Sequence, residues 1–466
     1  MALARKNVDA TEGPLFSKMI VFVIPLMLTN LIQQLYSMAD SIVVGQFSGD
    51  PNALAAIGST ASLIALLTSF VTGFSSGAGV TVANAFGARD GEALSRNVHT
   101  AYFVAAIAGI AVSAVSFAVS RPLLMLLGTK AELMDAALLY ARILILGIPA
   151  VSVYNFSAAS LRAVGDSRTP FYTLTATGIL NVLFNLVFVI GFGMSVVGVA
   201  IATLIAQYLS ATIVTLALAL RRGEAYRLRL SQLKAHRQTL VRILRLGLPA
   251  AIQASLFGIT NLFLTAALNG FPTPVLTAST VATSIDVLLS TVVATYVTVT
   301  MTFSGQNYGA RKYSRIKLSL LYSFVQVLVL SIGGGSLIIA FSEPLIRIYV
   351  SASDPNITEV IEAAKIIMLI MLASYPIGFV NDNMTGHLRG LGRSVLPLIV
   401  ALIGTCLFRI VWILLVFPCF GTLEALYFLY PISWSICALG NAVMCIITMK
   451  KIKAELSEAL PNGKTS

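Results

Sequence analysis

The stretch LRAVGDSRTP (residues 161–170) returns as LRGLGRSVLP (388–397), 227 residues further on. Two other pairs recur at nearly the same offset: FGAR (86–89) with YGAR (308–311), and RPLL (121–124) with EPLI (343–346), both 222 apart. The drift falls where the connection SASDPN (351–356) lengthens the second copy. Prolines keep the register as well: Pro25 with Pro249, Pro122 with Pro344, Pro149 with Pro376, and Pro170 with Pro397. Self-similarity at a fixed period marks a chain built from copies of one unit.

The residues flanking the repeat decide its environment. From Pro170 to Leu220 there is no Asp, Glu, Lys or Arg. That is room for two apolar helices of about 20 residues, each long enough to cross a bilayer, joined by the tight GFGMSVVG turn. Over all 466 residues, 57% are hydrophobic and 11% charged, against roughly 25% charged in soluble domains. Twelve spans are predicted, beginning near residues 17, 55, 97, 137, 170, 198, 247, 276, 316, 363, 395 and 426. The expected fold is an all-α polytopic membrane protein with twelve transmembrane helices in two parallel six-helix repeats. Residues 1–220 form the N-lobe, 221–245 a basic cytoplasmic linker, and 246–466 the C-lobe. Because six is even, both copies enter from the same side. Such parallel repeats are related by an axis along the membrane normal, with the binding site expected between them.

The net charge of +12 does not read as nucleic-acid binding, because of its placement. Of the 31 Lys and Arg, 25 fall on one side of the predicted spans. Five (Arg121, Lys130, Arg142, Arg347 and Lys365) lie on or near the other, and Arg409 is inside a span. The positive-inside rule places both termini and the basic loops in the cytoplasm, where the charge also meets anionic headgroups. The first apolar segment follows MALARKNVDATEGPLFSK without a small-residue cleavage site and is expected to be retained as a span. Cys406, Cys419, Cys437 and Cys445 lie in the last two spans without a C-x-x-C pair and read as small apolar residues. His99, His236 and His387 are too scattered for a metal site; the first two are expected in loops or at the interface, the third at the end of span 10.

Few ionisable residues remain within spans: Asp40, Asp286, Asp382 and Arg409. A charge at membrane depth is costly, so each is a functional candidate. Asp40, in LYSMADSIVVG (35–45), sits about 8 Å from the outer boundary if five helical residues separate them. Its counterpart in the second copy is about Leu264, so the acid is not duplicated. Asn181 and Asn185, spaced i, i+4, share one face of span 5, and Thr203 adds a hydroxyl from span 6. Desolvation disfavours a charged carboxylate, whereas water and nearby amides favour it. Asp40 is therefore expected to take a proton in one conformation and release it in another. Asp286 and Arg409 come out at comparable depths, about 12–15 Å by helical rise, and are expected to be capable of forming a buried ion pair. That pair reads either as a lock between helices or as having a substrate or coupling role. Asp382 registers with Asn155, so an amide in one copy faces an acid in the other. Gln33, Gln34, Tyr36, Tyr154, Asn155, Asn381 and Asp382, together with Asp286 and Arg409, are the candidates for lining a substrate cavity.

The two six-span copies, the paired GAR loops, LRAVGDSRTP and YSMADSIVVG together resemble the multidrug and toxic compound extrusion (MATE) transporters over nearly the whole chain. The resemblance implies a V-shaped, two-lobed antiporter exchanging organic, often cationic, compounds for H⁺ or Na⁺. It also implies that Asp40, Asn181, Asn185 and Thr203 form the N-lobe cation site. Many relatives carry an aspartate where this chain has Asn185, which puts tight Na⁺ binding in doubt and favours H⁺. No enzyme activity, cofactor or bound metal is expected beyond the coupling ion. The expected partners are small-molecule substrates and membrane lipids, with the chain a monomer in a plasma membrane, of bacterial inner-membrane type. Flippases of lipid-linked metabolites share the superfamily fold and remain the alternative, although they need a strongly basic cavity and Arg409 is the one deep basic residue. The motifs of intramembrane metalloenzymes, such as H-E-x-x-H, are absent.

Overall fold

In the computed structural model, residues 7–47, 53–351 and 355–458 are described; part of the SASDPN connection lies outside them. Among these residues every regular element is helical. Eleven helices are long and apolar enough to cross a membrane. A twelfth span is made by Ala131–Ile145 and Ile148–Ala163, which meet at a 41° bend. Pro149, just inside the second piece, explains the bend: it offers no amide to the preceding turn.

The chain divides into two compact units, and neither is a continuous half. Unit 1 comprises the described residues up to Asp9 together with Ile24–Ser255; unit 2 comprises Ala10–Val23 and Leu256 onward. Helix α1 (Leu15–Phe47) and helix α8 (Arg237–Leu268) therefore each belong to both units.

Unit 1 contains the rest of α1, then α2 (Ala53–Gly87), α3 (Gly91–Leu126), α4 (Met134–Ile145), α5 (Ile148–Ala163), α6 (Arg168–Leu186) and α7 (Ser195–Ala219). The start of α8 packs on α2 through glycine. A Cβ on Gly77 would lie 2.5 Å from Gly247 N, so only two glycines allow this approach. Part of the basic stretch 221–245 is seated on this unit. Tyr226 and Leu228 are buried with Val214 and Leu218, and Asn7 Nδ2 donates to Tyr226 Oη at 3.0 Å. His99, expected in a loop or at the interface, is buried; its Nε2 accepts from Arg229 N at 3.0 Å, and Nδ1 lies 2.7 Å from Ser95 O. The basic residues of the stretch project from a backbone that is itself packed, which charge content alone did not reveal.

Unit 2 contains the first turns of α1, then α9 (Thr273–Ala294), α10 (Tyr296–Gly309), α11 (Tyr313–Ala340), α12 (Ser342–Tyr349) and α13 (Ile357–Gly390). Four short helices, α14 (Val395–Ala401), α15 (Phe408–Val411), α16 (Phe417–Phe420) and α17 (Leu423–Tyr427), lead into α18 (Leu429–Glu458). Ahead of α1, Ala10 N donates to Gln306 Oε1 at 2.8 Å, and Arg315 donates to the carbonyls of Ala10, Glu12 and Gly13. The duplication is visible in the backbone. Arg89 and Arg311, the last residues of the two GAR loops, both adopt left-handed φ, 55° and 57°. The loop pair Asp166 and Arg221 has its charges reversed in the second copy, where Arg393 meets Glu455.

A candidate carboxylate–amide site in unit 1

Asp40 reaches unit 1 on the second half of α1, whose side chains there face α6. Tyr36, one turn earlier on the same face, sets the approach: its hydroxyl donates to Thr175 O at 2.9 Å. Its ring lies where a side chain on Gly178 would sit. Further along α6, Asn185 is fully buried and its Nδ2 donates to Asp40 Oδ1 at 2.5 Å. Asn181, on the same helix face, donates to that same oxygen at 3.0 Å and accepts from Thr203 Oγ1 of α7 at 3.3 Å. This amide orientation satisfies both neighbours. The four residues predicted as one cluster are thus brought together. Asn185 Oδ1 is buried without a hydrogen-bond partner, an uncommon arrangement that is unfavourable unless used. Directly after Asn185 the helix widens into a π turn, Val187–Gly191, a feature often found beside functional positions. Sequence reasoning missed Tyr140 of α4, which is buried with Val43 and Val44 and lies within electrostatic reach of Asp40. An aromatic in an apolar span carries no sequence signal of its own.

The remaining candidates divide. On α1, Gln33 is exposed and Gln34 half-buried. Tyr154 belongs to the apolar core around Val82 and Leu161 and packs there rather than lining open space. Asn155 stays half-exposed, its Oδ1 accepting from Thr72 Oγ1 at 3.4 Å. In unit 2, Asn381 donates to Asp382 Oδ1 at 3.3 Å and accepts from Asn441 of α18 at 2.8 Å, and Asn441 also donates to Thr385 at 3.2 Å. Asn441 was passed over, although a lone amide in an apolar span is a signal. His387 does lie near the end of its span; it is buried, its Nδ1 2.7 Å from Ser304 Oγ.

Of the two arrangements left open for Asp286 and Arg409, the structure shows them unpaired. Asp286 Oδ1 is buried without a partner, whereas Arg409 turns to α18, donating through Nε to Ser433 Oγ at 3.0 Å. Its guanidinium lies over the Tyr430 ring, 4.5 Å from the centroid. The reason is local. Arg409 stands between two π turns, Leu402–Leu407 and Trp412–Val416. Each extra residue in a turn rotates the downstream side chains by about 100°, so depth was predictable and facing was not.

The family model MatE matches residues 25–187 and again 249–415, once in each copy of the repeat. The chain belongs to the MATE family. It is accordingly a transporter and not an enzyme, with multiple membrane-spanning helices. Among MATE relatives, a probable multidrug resistance protein of Bacillus subtilis strain 168, YoeA, is 27% identical over 404 residues, 84% of this chain and 85% of that protein. The multidrug export protein MepA of Staphylococcus saprophyticus is 21% identical over 460 residues, 96% of this chain and 97% of that protein. A crystal structure of a MATE protein in the bent conformation superposes with a TM-score of 0.88 at 20% identity, covering 97% of this chain and 99% of that one.

Proposed function

We propose that the chain is a secondary antiporter that exports organic, cationic or amphipathic small molecules in exchange for H⁺, by alternating access, with Asp40 as the coupling group. It works as a monomer in the plasma membrane, both termini cytoplasmic and its basic loops against anionic lipid. The names of its relatives, multidrug resistance and export proteins, support the substrate class.

The observation that carries the coupling reading is the direction of the amides. Asn181 and Asn185 both present N–H groups to Asp40 Oδ1. These charge-assisted bonds hold the ionised carboxylate and weaken when it takes a proton. One proton thus changes the bonds tying α1 to α6 and, through Asn181, to Thr203 on α7. A Na⁺ ion needs several oxygens and benefits from negative charge. To ligate it, the amides would have to turn their oxygens inward, and Asp40 alone would supply the charge. Purified protein in liposomes tests the reading. Export driven by an imposed pH gradient without Na⁺ is expected; export running only on a Na⁺ gradient would overturn it.

A further inference from the structure

In unit 1, the end of α3 far from the basic stretch 221–245 carries two guanidinium groups on one patch. His99, near the start of α3, is bonded to Arg229. Arg121 stands 22 residues further along the same helix, about 33 Å by helical rise, and so at the opposite membrane surface. Arg142 reaches this end from α4. Its Nε donates to Ser120 Oγ at 3.4 Å, and its guanidinium lies over the Phe117 ring, 4.9 Å from the centroid. Phe117, Ser120 and Arg121 are spaced i, i+3 and i+4, which makes them neighbours on the helix surface. The second guanidinium therefore rests on the patch that carries the first. Among the described residues, Arg121 has no hydrogen-bond or ion-pair partner, and the terminal nitrogens of Arg142 have no acceptor. The acids nearby in sequence do not serve: Glu132 pairs with Lys130 at 3.9 Å, and Asp135 forms no ion pair among the described residues.

What surrounds the patch says what it meets. Phe103, Ile107, Ile110 and Phe117 follow one face of α3 at helical spacing, and all four are exposed. Arg121 continues the same stripe. An exposed apolar stripe on a span faces hydrocarbon, so the two guanidiniums stand where hydrocarbon gives way to headgroups. Phe117 offsets part of the charge of Arg142 through its ring face, but two like charges on one patch still repel. A phosphate relieves them, because each fork matches a pair of its oxygens. The second copy of the repeat is built differently at this point. EPLI puts Glu343 where RPLL has Arg121, and Lys365 and Arg347 both bond that acid, at 2.6 and 2.9 Å. Its cations are neutralised within the chain; those of the first copy are not.

We propose that this end of α3 and α4 binds an anionic phospholipid, its phosphate shared by Arg121 and Arg142 and an acyl chain lying along the stripe from Phe117 to Phe103. A headgroup without an ammonium is preferred, since the guanidiniums repel a second cation beside the phosphate. The site belongs to the first copy of the repeat only. It goes beyond the transport reading, from which it takes only the name of the leaflet, the outer one.

Quenching of a tryptophan by lipids brominated on the acyl chain tests this on the full-length protein in liposomes. Trp412 and Trp434 are replaced by Phe, and Ile110→Trp puts the reporter on the stripe. Ile332→Trp, 222 residues on and also exposed, puts it at the equivalent place in the second copy. Brominated phosphatidylglycerol and phosphatidylethanolamine with the same acyl chains then compete with their unbrominated forms. At the first reporter, phosphatidylglycerol is expected to be preferred about tenfold, the order a charge-assisted hydrogen bond provides. At the second reporter the two lipids should bind equally. R121Q/R142Q should bring the first reporter to equal binding as well. If that variant fails to fold, R121Q alone, at an exposed position, should lower the preference. Equal binding at the first reporter, a preference that survives loss of the arginines, or the same preference at both reporters would overturn the site. A preference abolished by millimolar inorganic phosphate would overturn the lipid as its occupant. Binding needs no gradient, so these failures are separate from a failure of gradient-driven export.

Discussion

Asn185 donates to Asp40 Oδ1 at 2.5 Å while its own Oδ1 is buried with no partner. The amide is committed on its donor side and vacant on its acceptor side. Asn185→Asp would replace the donor by a second carboxylate against the first, and two acids so close cannot both ionise at little cost. The variant is expected to transport with greater Na⁺ dependence than the wild type, because a cation would then relieve the repulsion. Initial export rates across a Na⁺ series at fixed pH check this; an unchanged Na⁺ response would contradict it.

Asp286 and Arg409 are expected to behave independently in stability. Without a direct contact, a cycle of Asp286→Asn, Arg409→Gln and the double variant should show losses that add to within about 0.5 kcal/mol. Thermal unfolding of ligand-free protein measures it. A coupling well beyond that value, or recovery of stability on exchanging the two charges, would restore the ion pair.

Close packing of α2 on α8 gives a steric prediction. Gly77→Ala places a methyl group 2.5 Å from Gly247 N, backbone that cannot swing aside. The variant should lose about 1–3 kcal/mol through overpacking, seen as a lower melting temperature. Gly58→Ala, where nothing lies within 4 Å, is the control and should not destabilise.

Outside the spans, Lys365 and Arg347 grip the exposed Glu343 on α12 and hold its carboxyl below the usual carboxylate range, chiefly through the hydrogen bond from Lys365. A depressed folded value means the contribution is present above the unfolded value near 4.5 and is lost as pH falls through the folded one. Glu343→Gln should therefore be slightly less stable than the wild type at pH 7, with the difference shrinking as the pH is lowered from 4.5. Melting curves at both pH values and low salt decide it; a gap that widens at low pH would contradict the assignment.

Much of the architecture could be read from the chain because its signals are local or periodic: charge-free runs long enough to span, and a repeat kept in register by GAR loops and prolines. The cluster around Asp40 was legible because Asn181 and Asn185 share a helix face. The exchange of α1 and α8 between units was not, since it depends on the Gly77–Gly247 approach and on carbonyls at 10–13 captured by Arg315. The facing of Arg409 was not legible for a different reason. The π turns on either side of it break the 3.6-residue rule by which facing is inferred. His99 looked like a loop residue because its acceptor role is met by the backbone of Arg229, 130 residues away.

The most direct measurement is pH-gradient-driven export by Asp40→Asn in Na⁺-free liposomes, with dye binding and melting temperature recorded on the same preparation. An amide keeps the size of the side chain and cannot carry the proton. The expected result is a folded protein that binds dye and shows no export driven by the pH gradient. Export at the wild-type rate would remove Asp40 from the coupling and contradict the account.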